Sequence, residues 1–270
     1  MLLCGLIFST IWAVFSVHSV YGFIDQQPDY IKTCMIKQPR DIFINCSTHS
    51  VQGLFTEIPK GNPQIGLEIL DPLKIPALKI LQGGGGPVTV NASLSDVTIL
   101  GFANTKILYN SVDPKTYDFY TKLFLPRLRI DGNYELLGRI LVIPLRGKGV
   151  CWFDAQNLTI NVKSDVIMEK HDGFHFFNVT QVHVDFSVGG LKLHMGNLFD
   201  GIKALEDSTN AYLNENWRPV AESLSPILSK TIEDIMLGIL KTVFDNIPAD
   251  YFLGDLGPYD EAEIPKVLLA

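Results

Sequence analysis

His171-Asp172-Gly173-Phe174-His175 sets two imidazoles four residues apart, the spacing at which a helix presents a pair of metal ligands on one face. Gly173 and the alternating residues on either side predict a hairpin instead, where the two rings do not share a helix face, so no metal is expected here. Gly83 to Gly86 has the composition of a phosphate-cradling loop, but no Lys-Ser or Lys-Thr follows and no helix opens from it; a loop between strands is the better expectation. The chain has no Gly-x-Ser-x-Gly elbow and no Cys–His signature around Cys151. Its acids gather in turns, on helix faces and in the tail rather than as pairs among apolar strands. No catalytic set emerges, and nothing calls for a cofactor.

The four cysteines carry a different chemistry. Cys4 falls in an apolar leader, leaving Cys34, Cys46 and Cys151. Cys34 and Cys46 are close enough for a local disulfide in an oxidising compartment, and closing that loop would contribute about 3 kcal/mol in the chain-entropy model. A zinc site is the rival, without a CxxC pair or a His-rich segment to complete it. Cys151 is the odd one, read as a buried inert thiol, with an intermolecular bridge as the alternative.

Modification signals point outside the cell. Residues 2–17 are largely apolar and no charge precedes Asp25; Val20 and Gly22 stand three and one before a cut at Phe23. This is the layout of a cleaved secretory signal over residues 1–22 without the basic n-region, and the run is short for a spanning helix, which needs about 20 apolar residues. An uncleaved anchor is the alternative. Four glycan acceptor triplets follow, at Asn45, Asn91, Asn157 and Asn178. A secreted, extracellular glycoprotein is expected. Its net charge of −7, with no basic run, excludes nucleic acid and anionic lipid surfaces as natural partners. The hydrophobic fraction of 47% is high for a chain with no second long apolar run, and asks for an unusually apolar core or an internal cavity.

The elements that would position these residues follow from periodicity. Residues 45–58 read as a short helix capped by Asn45 or Ser47 and stopped by Pro59, Gly61 and Pro63. Strands are expected at 65–70, 75–81, 88–102, 104–112, 121–131, 134–145, 150–168 and 174–195. Leu158, Ile160 and Val162 alternate with Asn157, Thr159 and Asn161, which puts the aliphatics inward and the acceptor Asn157 outward. Asn91 alternates with Val90 and Ala92 in the same way, and a slip of phase predicts a bulge near Asp96. Asn178 shares parity with inward Val182 and Val184, so its triplet fits least well. Helical spacing then runs over 197–216 and again over about 218–247, where Leu224, Leu228, Ile232, Ile235, Ile239, Val243 and Ile247 form one stripe. Pro226 should kink that helix or mark its first turn. The tail from Gly254 is expected to be poorly ordered. A one-sided apolar sheet needs an apolar partner, and the helix stripe supplies it. The fold class is α+β: a strongly curved antiparallel sheet wrapped around a long C-terminal helix, over residues 23–253, with residues 254–270 as the tail.

Several stretches resemble one family: Cys34 and Cys46 before a helix ending at Pro59-Lys60-Gly61, the run Leu70 to Ile75, the run Leu94 to Gly101, the run Gly132 to Gly149 and, most specific, Leu213-Asn214-Glu215-Asn216-Trp217. Together they are similar to the takeout and haemolymph juvenile hormone-binding proteins of insects, over nearly all of residues 30–253. The resemblance implies an elongated tubular lipid-binding fold with an apolar tunnel, a Cys34–Cys46 disulfide, and a carrier of terpenoid hormones or long-chain lipids without catalysis. The hormone-binding branch pairs its equivalent of Cys151 with a later cysteine that this chain lacks, so the takeout-like branch is the closer likeness. Leu158, Ile160, Ile235 and Ile239 are then expected to line the tunnel, and Tyr134 to offer a phenol to a ligand oxygen or else to pack at a strand edge. The contrasting expectation is a secreted interaction or structural protein with a packed interior and no ligand.

Overall fold

The computed structural model describes residues 22–82, 88–141 and 143–256. Residues 1–21, 83–87, 142 and 257–270 lie outside them, as do the expectations of a cleaved leader, of an inter-strand loop at Gly83–Gly86 and of a poorly ordered tail beyond Leu256.

Helix α1 spans Arg40–Glu57, starting five residues earlier than expected. Pro39 precedes it with no side-chain cap, and Asp41 sits in the first turn, where the helix dipole favours an acid. Asn45 and Ser47 are therefore interior positions. Ser47 is buried with Phe43, Ser50 and Leu54 on the inward face, and its hydroxyl donates to the Asn110 carbonyl at 2.8 Å. The expected strand at 65–70 is absent. Pro63–Ile65 forms a single 3-10 turn that closes at Gly66 in the left-handed region, with Asn62 Oδ1 accepting from Gln64 N at 3.0 Å. Proline and glycine three apart fold the segment back on itself before it can extend.

Seven strands follow: β1 Leu73–Gln82, β2 Val88–Leu100, β3 Lys106–Val112, β4 Phe119–Ile140, β5 Ile143–His171, β6 Phe174–Ser187 and β7 Gly190–Met195. All named pairings are antiparallel. The β4–β5 hairpin is the spine. Along its outer edges β3 and then β2 pair with β4, while β7 and then β6 pair with β5. A strand the length of β5, 29 residues, would reach roughly 95 Å if straight at about 3.3 Å per residue. The sheet instead curves strongly, without closing into a barrel.

Glycines misled the strand boundaries. Gly132-Asn133 and Arg146 to Gly149 read as turns, yet the β4–β5 ladder runs unbroken through Gly132↔Cys151 and Leu136↔Gly147 and turns only between Ile140 and Ile143. A side chain at Gly132 would lie 3.2 Å from the Ser95 carbonyl, where β2 bulges; at Gly147 it would lie 2.7 Å from the Tyr134 hydroxyl. Both mark close approach rather than reversal. The bulge near Asp96 is present: register shifts between Ser95 and Thr98, and Asp96 has φ 51°. The expected strand 174–195 is two strands broken at Val188-Gly189. A second register shift, at Asp165/Val166, skips Thr180 and reverses the parity of β6, so Phe177 and Val179 are buried while Asn178 is partly exposed. The parity of Val182 and Val184 therefore does not carry across the shift to Asn178.

Helix α2 spans Lys203–Glu215 and α3 spans Trp217–Phe244, separated at Asn216. Pro226 lies inside α3, beyond its first turn. Gly254 and Asp255 are fastened rather than loose: Gly254 N donates to the Cys34 carbonyl at 3.1 Å, and the Asp255 carboxylate accepts from Ile36 N at 2.7 Å and Lys37 N at 3.0 Å. No helix among the described residues is long and apolar enough to cross a membrane.

Candidate functional site

The interior lies between α3 and the concave face of the sheet, and α3 packs mainly on β6. The buried side chains form two sets. The larger gathers Phe43 and Leu54 of α1, Leu123, Leu158, Ile160 and Val162 of the spine, Phe177 of β6 and Val243 and Phe244 at the end of α3. The smaller gathers Tyr134, Leu136, Leu145, Cys151, Met195, Leu213 and Val220, at the other end of α3. Between Val220 and Val243 no α3 residue reaches full burial, although Leu224, Ile227, Ile232, Ile235, Met236 and Ile239 pack inward. Across from them Ile130, Phe153, Phe186 and Leu191 are likewise only partly buried, and Leu94 touches both sets. The helix is sealed at its two ends and loosely covered along its middle.

A cavity of about 60 Å³ opens in the larger set, beneath α1. Leu54 and Phe55 of α1, Phe119 and Leu123 of β4, Val162 of β5 and Met236 and Leu240 of α3 form apolar walls. Ser47, Ser50, Asn110, Thr121 and Ser164 interrupt them, and no charged side chain lines it.

Leu158 and Ile160 face inward and are buried, 6% and 8% exposed, and Ile235 and Ile239 pack on the same set, yet none of the four borders this cavity. Their neighbours Val162, Met236 and Leu240 do. Tyr134 is remote, in the smaller set. Its hydroxyl donates to the Gly196 carbonyl at 2.9 Å, and burial pushes its pKa up to about 12, so its proton is already engaged. The alternation points to two of the polar wall residues, since Ser164 continues the inward parity of Leu158, Ile160 and Val162, and Thr121 that of Leu123 and Leu125; Asn110 lies beyond a register shift in β3 that only strand pairing shows. Asn110 and Ser164 are 4% and 3% exposed.

The two histidines of the hairpin diverge. His171 is exposed and stacks on Phe176 with centroids 3.9 Å apart, whereas His175 is buried and its Nδ1 lies 3.0 Å from Asp250 Oδ1. Cys34 and Cys46 are joined, which pins the segment before α1 to the helix, and Cys151 is a free, buried thiol with its pKa raised to about 11 by burial. Asn45, Asn91 and Asn157 are exposed. Asn178 donates through its amide to Glu169 at 2.6 Å.

The Leu213–Trp217 stretch has a structural task. Asn214 Oδ1 accepts from Leu193 N at 2.9 Å and its Nδ2 donates to Leu193 O at 2.8 Å. Asn210 does the same to Met195 N and O, at 2.9 and 3.0 Å. Glu206 adds a third rung, accepting from Asn197 N at 2.7 Å. Four residues of helix rise about 6.0 Å and two residues of strand about 6.8 Å, so side chains four apart on α2 meet alternate backbone groups of β7. The helix thereby completes the ladder of an edge strand and holds the start of α3 against the smaller core.

Among known proteins, the chain is 25% identical to the circadian clock-controlled protein daywake of Drosophila yakuba over 256 residues, covering 89% of this chain and 92% of that protein. It is 24% identical to a putative beta-carotene-binding protein of Schistocerca gregaria over 208 residues, 74% of this chain and 80% of the relative. Its fold matches the crystal structure of Epiphyas postvittana Takeout 1 with a TM-score of 0.72 at 23% identity, over 83% of this chain and 99% of that one. Residues 10–254 match the family described as haemolymph juvenile hormone binding protein, and the chain belongs to that family.

Proposed function

We propose that this protein is a secreted carrier that holds a hydrophobic small molecule, of the terpenoid or long-chain lipid class, between α3 and the concave sheet, without catalysis. The observation that carries the reading is the split core: apolar side chains along the middle of α3 and the facing strands stay partly uncovered while both ends are sealed. Family membership and the printed name of the Schistocerca gregaria relative support it. Burial of apolar surface at about 25 cal/mol per Å² would supply most of the affinity. A ligand of ordinary size needs about 300–1,000 Å³, well above the cavity of about 60 Å³. Loading therefore requires the elements that enclose the interior to move apart. That small volume is also what favours the second reading, a packed interior with no ligand. Native mass spectrometry of protein purified from a secreting host, before and after delipidation, separates the two. Retained lipophile, and saturable displacement of a lipophilic fluorescent probe from delipidated protein, are expected; folded protein that binds neither leaves the packed interior standing.

A further inference from the structure

Resting on the reading of a secreted glycoprotein, and apart from the interior, we infer that a groove along the edge of β7 seats an N-acetylhexosamine supplied by the glycan on Asn157. The groove measures about 430 Å³ and is bordered by Gln156, Gly190, Leu191, Lys192, Asn214 and Trp217. The edge has one unpaired rung. Gly196 N donates to the Val150 carbonyl at 2.9 Å, which fixes the phase of the β5–β7 ladder: even-numbered residues of β7 bond β5, and odd-numbered ones point their N–H and C=O away from it. On that side Met195 meets the carboxamide of Asn210, and Leu193 that of Asn214. Leu191 comes next, and neither its N–H nor its C=O has a partner there among the described residues. Helix α2 ends at Glu215, and Arg218, four residues beyond Asn214, is exposed with its guanidinium over the Trp217 ring at 5.2 Å.

A single free rung beside two completed ones is too short for an added strand, but it suits one small group with an acceptor and a donor. An N-acetylhexosamine brings an amide oxygen to accept from the Leu191 N–H and, at the next ring carbon, a hydroxyl to donate to its C=O. The acetyl methyl and the C–H face of the ring suit the half-buried Trp217, while exposed Gln156 and Lys192 meet the remaining hydroxyls. No Asp or Glu borders the groove. The source is adjacent. Asn157 is exposed with φ 50° and packs on the β6–β7 turn, where a side chain at Gly189 would lie 2.8 Å from its Cβ. Gly190 follows, so no side chain bars the way over β7. Leu191 lies one strand across and two residues along, about 8 Å by strand geometry, within reach of the second sugar of an N-linked glycan. Two hydrogen bonds and one stacking contact hold a free sugar weakly, but tethering supplies an effective concentration on the order of millimolar.

The test is amide hydrogen exchange at Leu191 in secreted protein, with the Leu193 and Met195 amides as internal controls. Thr159→Ala abolishes the acceptor triplet and leaves the left-handed Asn157 in place. The Leu191 amide should exchange about tenfold slower in glycosylated wild type than in Thr159→Ala, with both controls unchanged. Adding N,N′-diacetylchitobiose at millimolar concentration to Thr159→Ala should restore the protection, and maltose, which has no acetamide, should not. Trp217→Leu should abolish the protection with the glycan still attached, and Lys192→Ala, an exposed change, should lower it partway. Equal exchange in wild type and Thr159→Ala, or an unmodified Asn157, overturns the proposal. Restoration by maltose as well as by the chitobiose overturns the acetamide preference, and restoration by free chitobiose without protection in glycosylated wild type overturns Asn157 as the source. None of these outcomes bears on whether the interior holds a lipophile.

Discussion

Replacing Asn210 by leucine tests whether side chains of α2 complete the edge of β7. The change removes both partners of Met195, its N–H bond to Oδ1 at 2.9 Å and its C=O bond from Nδ2 at 3.0 Å. Met195 is 6% exposed, so water replaces neither easily. An unsatisfied buried backbone group costs about 1–3 kcal/mol. Two such groups, offset by the extra apolar contact of leucine, give an expected loss of about 2–4 kcal/mol. For a domain of this size each kcal/mol lowers the melting temperature by about 2–4 °C, so a fall of roughly 5–15 °C is expected in thermal unfolding followed by circular dichroism. Ser208→Leu, an exposed change on the same helix, is the control and should shift stability by no more than about 0.5 kcal/mol. Hydrogen exchange supplies the local readout, with the Met195 amide losing protection in Asn210→Leu. A melting temperature within about 2 °C of wild type, or a Met195 amide that stays protected, would refute the edge-completing role.

Tyr134→Phe should lower stability by about 1–2 kcal/mol, through the unpaired Gly196 carbonyl, and leave lipophile affinity unchanged; a tenfold loss of affinity without loss of stability would return Tyr134 to the ligand. Thiol labelling should find one free cysteine, reactive only after denaturation, because Cys151 is buried and holds its proton to about pH 11. Labelling of native protein at pH 8 would contradict that burial. Glycans are expected at Asn91 and Asn157, read as Asn-to-Asp conversion on enzymatic deglycosylation; Asn91 lies between exposed Leu81 and Leu137 on the outer face, which a glycan would shield. Unmodified Asn91 and Asn157 in secreted protein would count against this. The Lys203 ammonium, followed by the Asn197 N–H, holds the Glu206 carboxyl below its ordinary range. That contribution is present above the unfolded carboxylate pKa, about 4.3, and is lost as pH falls through the folded value. Glu206→Gln should therefore flatten the acid limb of a stability-versus-pH curve, and an unchanged limb would show that the rung carries no linkage.

Two-residue and 3.6-residue periods are local properties. A chain that alternates Leu158, Ile160 and Val162 with polar residues, and later repeats apolar residues three and four apart from Leu224 to Ile247, already dictates a one-sided sheet and an amphipathic helix that must cover it. The bulge at Asp96 was legible for the same reason, as a break in phase. The Cys34–Cys46 bond and the unpaired Cys151 needed only a count and the resemblance. What the sequence could not decide was every feature that depends on which backbone lies beside which. Gly132 and Gly147 carry the composition of turns, and only strand pairing shows that each makes room for a neighbouring chain. Phe174, Phe176 and Phe177 supply apolar residues in both phases and mask the bulge at Thr180, so parity alone puts Asn178 on the wrong face. Asn210 and Asn214 gave no local signal, since their partners lie on a strand fifteen to twenty-one residues earlier. Asn110 gives none either, because a register shift in β3 precedes it, whereas Thr121 and Ser164 share the inward parity of Leu123 and Val162; that the three meet at one cavity is decided by the pairing of β3, β4 and β5. Periodicity sets which face of an element is apolar; how far along that face the core opens is decided by curvature and register, which are tertiary quantities.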